Sequence, residues 1–322
     1  MILSMKPPYD ITQTILKQIS SISEKIGEVN ANYLSKQSPK LRKQNRIKTI
    51  HSSLQIEGNT LTEEQITALI ENKRVIGPEK DVIEVLNAIK VYDNLEHFNL
   101  QSEKSFLKAH FELMNGLIQS AGEYRKQGVG IVKGTKIEHV APPFEHVPHL
   151  MKDLFNYLKN NDDLTLIKSC VFHYEMEFIH PFLDGNGRMG RLWQTLILMN
   201  EYAVFEFLPF ETLISQTQDQ YYKSLALSDK SGKSTLFIEY MLGVIEKSLE
   251  NLLNYNNRVL KDIDRLDYFL NLGIKEFNRK DYMNIFKDIS SATASRDLKK
   301  GVELKMFKSV GALNKTKYTV IK

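Results

Sequence analysis

Apolar residues recur three and four positions apart through most of this 322-residue chain, and only 16 glycines and 9 prolines interrupt them. That spacing lays one apolar stripe along each of a series of helices, so the expected fold is mostly α. Ile11, Ile15, Ile19, Ile22, Ile26 and Val29 trace the first stripe, which Ser38-Pro39 ends. A second helix is read from Leu41 to Ile56, with Gly58-Asn59 as its stop, and a third from the N-cap Thr62 to Gly77-Pro78. Others follow over 82–98, 105–118, 147–160, 164–179, 188–201, 213–227 and 235–256. One stretch departs from the pattern: Val129, Ile131 and Val132, the turn Lys133-Gly134-Thr135, then Ile137 to Val140 read as a hairpin among helices.

Composition narrows the class. With 42% hydrophobic and 25% charged residues the chain can bury a core, which sets aside disordered and collagenous chains. It contains no run of about 18 apolar residues, so no membrane partner is expected. The first ten residues lack a secretory h-region, and the single cysteine, Cys170, can form no internal disulfide; a cytoplasmic location is the expectation.

The net charge of +4 is unevenly placed: residues 290–322 hold eight basic side chains against two acidic ones. Beyond the polar stretch at 254–261 the chain reads as helices over 266–273, 279–286 and 292–304, the last capped by Ser290-Ser291. Strands follow at 306–310 and 318–321 around a turn at 311–316. Helix, helix, turn, basic helix and hairpin make the pattern of a winged helix-turn-helix, with DNA as a partner through residues 290–322 and with Lys315 and Lys317 on the wing. The expected domains are 1–100, 101–253 and 254–322.

Chemistry concentrates in His180-Pro-Phe-Leu-Asp-Gly-Asn-Gly-Arg-Met-Gly-Arg191. A histidine closes an apolar helix, and Gly185 and Gly187 permit positive φ, so successive amide N–H groups can line an anion cradle. The next helix starts near Arg188 and adds its N-terminal partial charge to two guanidinium groups suited to phosphate. Asp184 could hold a divalent cation and His180 could accept a proton, which together describe a polyphosphate site beside a general base. Gly185-x-Gly187-x-x-Gly190 is no dinucleotide fingerprint, because a helix and not a strand precedes it, and Gly232-Lys233-Ser234 lacks the rest of a P-loop.

The 180–191 run resembles, at every defining position, the HPFx(D/E)GNGRxxR motif of the Fic family, and Fic-like character extends over about residues 10–250. The resemblance implies a Fic-type helical bundle with a β-hairpin flap, joined to the C-terminal winged helix-turn-helix. It implies transfer of AMP from ATP to a Ser, Thr or Tyr hydroxyl of a target protein, with Mg²⁺ or Mn²⁺ as cofactor and pyrophosphate released. On that resemblance His180 would be the base, Phe182 the loop's apolar anchor and Asp184 the metal ligand. Gly185, Asn186 and Gly187 would form the anion hole, and Arg188, Gly190 and Arg191 would complete the ATP site. Tyr221 and Tyr222 would lie near the nucleoside, and a flap around Ile131, Thr135 and Ile137 would align the target by strand addition.

Ser53-Leu-Gln-Ile-Glu57-Gly58 resembles the family's inhibitory pattern [S/T]xxxE[G/N], in its class II placement upstream of the catalytic motif. Ser53 and Glu57 stand one helical turn apart, and an Arg191 paired to Glu57 could not grip a γ-phosphate. Family members often form homodimers, which gives a second expected partner. Two further readings compete: a nucleotide-sensing DNA-binding regulator, and a Fic enzyme that removes AMP or transfers another phosphoryl-type group.

Overall fold

The computed structural model describes residues 6–32, 39–133, 136–257, 262–286, 289–311 and 316–321. Helix α1 (Gln13–Asn32) buries Ile15, Ile22, Ile26 and Val29, one side of the stripe read from the sequence. Next come α2 (Pro39–Ile56) and α3 (Glu63–Ile70), the latter opened by a capping box. In that box Thr62 Oγ1 accepts from Gln65 N (3.3 Å) while Gln65 Oε1 accepts from Thr62 N (2.9 Å). This helix ends well short of the expected Gly77-Pro78 stop. Helices α4 (Glu79–Tyr92) and α5 (Glu103–Met114) lead to the hairpin strands β1 (Gly130–Lys133) and β2 (Lys136–Val140). The strands pair antiparallel, Gly130 opposite Val140, with a bulge between Ile131 and Val132.

Helices α6 (Val147–Asn160), α7 (Thr165–Ile179) and α8 (Asn186–Glu201) form the centre, and most residues of α7 and α8 are buried. Their close approach is set by Gly190: a Cβ there would stand 2.6 Å from His173 Cδ2, so only a hydrogen lets α8 lie on α7. The helix expected over 213–227 is two, α9 (Glu211–Gln216) and α10 (Gln218–Ser231), because Thr217 leaves helical geometry at φ −121°. Helix α11 (Thr235–Asn257) completes the bundle. Gly232, part of the rejected P-loop match, is the left-handed cap of α10.

The chain divides into two compact units, residues 1–251 and 252–322. Within the first, α2 packs against α4, α8 and α9, so the segment read as residues 1–100 shares one unit with the residues that follow it. The second unit holds α12 (Asp262–Asn271), β3 (Glu276–Asn278), α13 (Arg279–Ile285), α14 (Ser291–Glu303), β4 (Phe307–Val310) and β5 (Lys317–Val320). Its antiparallel sheet has the order β3-β5-β4. Strand β3 was not anticipated; three residues are too few to display an alternation. A core of Leu266, Phe269, Phe277, Tyr282, Leu298 and Phe307 holds this unit together. Asp297 is buried there between Arg265 (2.6 Å) and the Tyr282 hydroxyl (3.2 Å).

Candidate functional site

The site is built where α7 ends. His180 caps that helix in the left-handed region (φ 50°), a conformation a non-glycine residue holds only when its surroundings fix it. The fixing group is Arg125, 2% exposed, which donates from Nε to the His180 carbonyl (2.8 Å) and from Nη2 to that of Ile179 (3.3 Å). Its Nη1 reaches the Gln127 carbonyl (3.0 Å), Nη2 also reaches that of Pro142, and its backbone N–H donates to Pro181 O (2.9 Å). One side chain thereby joins the histidine turn to both ends of the hairpin.

The loop after His180 is held from below. Phe182 is fully buried, stacked on His110 (centroids 3.5 Å apart, 4° between planes) and near Phe106. Asn186 turns its side chain inward: Oδ1 accepts from Phe182 N and Nδ2 donates to Phe182 O, both at 2.9 Å. Its amide is therefore the loop's internal tie, and only its backbone N–H is left to the cradle expected of residues 185–187. His110 Nδ1 accepts from Gly122 N (2.8 Å), which puts the ring proton on Nε2, where it donates to the Asp184 carbonyl (3.0 Å). Burial pushes the His110 pKa down to about 4, so the ring is neutral. Gly185 has φ +87°, and a Cβ on it would stand 2.8 Å from Met114 Sδ.

Both arginines of the 180–191 run are buried and held by carboxylates. Arg188 donates to Glu84 (2.7 Å) and to Asp184 (2.7 Å), and Glu84 also accepts from Asn59 Nδ2 (2.8 Å). Arg191, fully buried on α8, reaches across to the end of α2. Its Nε donates to Ser53 Oγ (3.1 Å), and its Nη2 donates to Ser53 O (2.9 Å) and to Glu57 Oε1 (2.7 Å). Burial works against its charge, and Glu57, Tyr221 and Glu177 together more than offset that, so Arg191 stays firmly protonated. Glu57 occupies the space over Gly187, where a Cβ would meet Glu57 Oε1 at 2.3 Å and Arg191 Nη1 at 2.9 Å. Arg188 Nε and Arg191 Nη1 are buried with no hydrogen-bond partner among the described residues, two donors available to an anion.

Other expected residues fall elsewhere. Tyr221 is a core residue, 2% exposed, its hydroxyl on His173 Nε2 (3.0 Å); His173 in turn holds Gln194 (2.6 Å) beneath Gly190. Tyr222 is 37% exposed. Ile131 and Ile137 lie in β1 and β2, Ile137 opposite Val132, whereas Thr135 and Lys315 lie outside the described residues. In the second unit Lys300 pairs with Asp262 and Lys317 with Glu276. Sequence reasoning missed Glu84, His110 and Arg125. Glu84 had a signal, a carboxylate within the helical stripe of Val85, Ala88 and Val91; a lone arginine before a loop had none.

Comparison with known proteins supplies the family. Residues 100–198 match the family described as Fic/DOC. A Fic family protein from Desulfovibrio desulfuricans, known from its crystal structure, is 39% identical; the match covers 98% of each chain with a TM-score of 0.77. The chain belongs to the Fic family. It is also similar to protein adenylyltransferase fic-1 of Caenorhabditis elegans (29% identity, 64% of this chain, 43% of that protein). Protein adenylyltransferase Fic of Nematostella vectensis is 26% identical over 76% of this chain and 56% of its own length. The chain thus spans about half the length of the curated relatives it matches.

Proposed function

We propose that the chain is a protein adenylyltransferase that transfers AMP from ATP to a hydroxyl of a target protein and is restrained by Glu57. The observation that carries this reading is the buried Arg191 guanidinium, bridged to Ser53 and Glu57 directly over Gly187. An anion cradle with two arginines needs a polyanion, and the brake on it is a carboxylate in the polyanion's place.

Each residue then has a task. The backbone N–H groups at 185–187 and the start of α8 cradle phosphate, and Arg188 and Arg191 neutralise it. His180, held by Arg125, takes the proton of the target hydroxyl. The hydroxyl oxygen bonds to the α-phosphorus, and the bond to pyrophosphate breaks in line. Asp184, with its side chain 41% exposed, suits a single-carboxylate Mg²⁺ or Mn²⁺ site, in which phosphate and water supply the other ligands. Among the described residues no cluster of three His, Cys, Asp or Glu would hold a metal unaided. A bound ion there would spread the charge building on the phosphates. The hairpin β1–β2 would take the target segment as an added strand. The test is intact mass of a target protein, or of the enzyme itself, after incubation with ATP and Mg²⁺. AMP-sized gains that appear with Glu57→Gly and vanish with Glu57→Gly/His180→Ala support the reading, and gains that survive the His180 change overturn it.

A second reading concerns residues 252–322. The order α12, β3, α13, α14, β4, β5 with sheet order β3-β5-β4 supports a winged helix-turn-helix, with α14 as the helix offered to a DNA groove. Salt-dependent binding to duplex DNA in a gel shift would support it; identical mobility with and without DNA at low salt would dismiss it.

A further inference from the structure

Helix α2 ends at Ile56, one residue before Glu57, and its last four carbonyls have no partner a turn further along the helix. Where each of them goes accounts for how Glu57 is held. The turn through Gly58 (φ +91°) closes two: Glu57 N and Asn59 N donate to Leu54 O (3.0 and 3.1 Å), and Gly58 N donates to Gln55 O (3.0 Å). The other two are capped from outside the helix. Ser53 O accepts from Arg191 Nη2 (2.9 Å), and Ile56 O accepts from Gln218 Nε2 (2.8 Å) at the start of α10.

Gln218 belongs to a polar seat. Toward α4, helix α2 turns Ile50 and Leu54, which meet Ala88 and Tyr92. Toward α9 and α10 it turns hydrogen-bonding groups: Thr49 bonds Glu211, Ser52 Oγ lies 3.1 Å from Thr212 Oγ1, and Gln55 Oε1 accepts from Ser215 Oγ (2.8 Å). Each such bond shifts an equilibrium by only about twofold to tenfold, because water offers the parted groups the same bond. On the far side of Glu57, Asn59 Nδ2 donates to Glu84 (2.8 Å) and to Asp81 O (3.1 Å). Glu57 thus stands between two anchors. Glu84 also holds Arg188, whereas the hydrogen bonds of Gln218 among the described residues go to Ile56 and to the Tyr222 hydroxyl one turn along α10.

We propose that Gln218 is a positioning residue for Glu57: by capping Ile56 it keeps the last turn of α2 wound, with the Glu57 carboxylate over Gly187 and on Arg191. On the function proposed above, a nucleotide that takes Arg191 also loosens the cap at Ser53, and Gln218 is then the external cap that still holds the turn. The restraint on AMP transfer therefore depends on α10 as well as on the pair of Arg191 with Glu57. That consequence rests on the proposed function; the hold of Gln218 on the turn does not, and is measured without nucleotide.

Gln218→Glu keeps the shape but lacks the donor, and Gln218→Leu removes the polar group altogether. Amide hydrogen exchange of the full chain without nucleotide should show Glu57, Gly58 and Asn59 exchanging about twofold to tenfold faster in both variants, with α7 and α8 unchanged. In AMP transfer both variants should gain about twofold to tenfold over the wild type. In the Glu57→Gly background, where no carboxylate is left to hold, the same changes should leave transfer as it was. A purely structural role would give the opposite, transfer that falls in both backgrounds and exchange that rises throughout the unit. Unchanged exchange at residues 57–59 overturns the assignment, and so, with Glu57→Gly active, do variants that transfer no more than the wild type. If Glu57→Gly itself transfers no AMP, the proposed function is what fails, and the exchange at residues 57–59 still decides the role of Gln218.

Discussion

Replacing Glu57 by glutamine removes one charge from a contact whose other half, Arg191, is fully buried while Glu57 itself is 26% exposed. Removing one partner of a fully buried pair costs about 3–5 kcal/mol. Here the partial exposure of Glu57 and the two remaining Ser53 contacts reduce that to about 1.5–3 kcal/mol, the range for a hydrogen bond to a charged group. For a unit of this size the loss lowers Tm by roughly 3–12 °C without nucleotide. On the proposed function the same energy opposes the γ-phosphate in the wild type, so Glu57→Gln should bind ATP about tenfold to a hundredfold more tightly. Thermal unfolding with and without saturating ATP reads both effects: the variant starts lower and gains more from ATP than the wild type. A variant that unfolds at the wild-type temperature and gains the same from ATP refutes the argument that Glu57 holds Arg191 against the nucleotide.

Arg125→Lys keeps the charge but loses the planar fork that reaches four carbonyls, so AMP transfer in the Glu57→Gly background should fall at least about tenfold while ATP affinity, by calorimetry, holds. Unchanged transfer would show that His180 keeps its turn without the clasp. Gly190→Ala places a Cβ 2.6 Å from His173 Cδ2 and should destabilise the protein by about 1–3 kcal/mol in urea unfolding. His110 titrates at about 4 in the fold against 6.5 in the unfolded chain, so its neutral form stabilises the fold above pH 6.5. That contribution is lost between pH 6.5 and 4, at up to about 1.4 kcal/mol per pH unit, and His110→Gln should flatten the profile there. Gly187→Ala, whose Cβ would take the place of Glu57 Oε1, should release the brake yet block the cradle, abolishing both ATP binding and transfer.

How far the sequence went depends on what each feature is made of. Helices with a continuous stripe, such as α1 and α6, were legible because periodicity is local, and so was the pairing of β1 with β2. The break at Thr217 and the three-residue β3 left no periodic trace, and α3 ends early although its N-cap Thr62 was readable. Within the site, His180 to Arg191 could be read together because the loop's own chemistry needs them adjacent. Glu84, His110 and Arg125 act on that loop from 55 to 104 residues away, through contacts that only the packing of α4, α5 and the hairpin base creates. Asn186 shows the opposite limit: its place in the motif was plain, but the inward turn of its amide onto Phe182 was not.

The central claim is that this loop transfers AMP and that Glu57 restrains it. Incubation of wild-type, Glu57→Gly and Glu57→Gly/His180→Ala proteins with ATP radiolabelled at either the α- or the γ-phosphorus tests it most directly. The account predicts α-label on protein, far more with Glu57→Gly than with the wild type and none in the double variant, and no γ-label on any. Protein-bound γ-label, or α-label independent of His180, would contradict it.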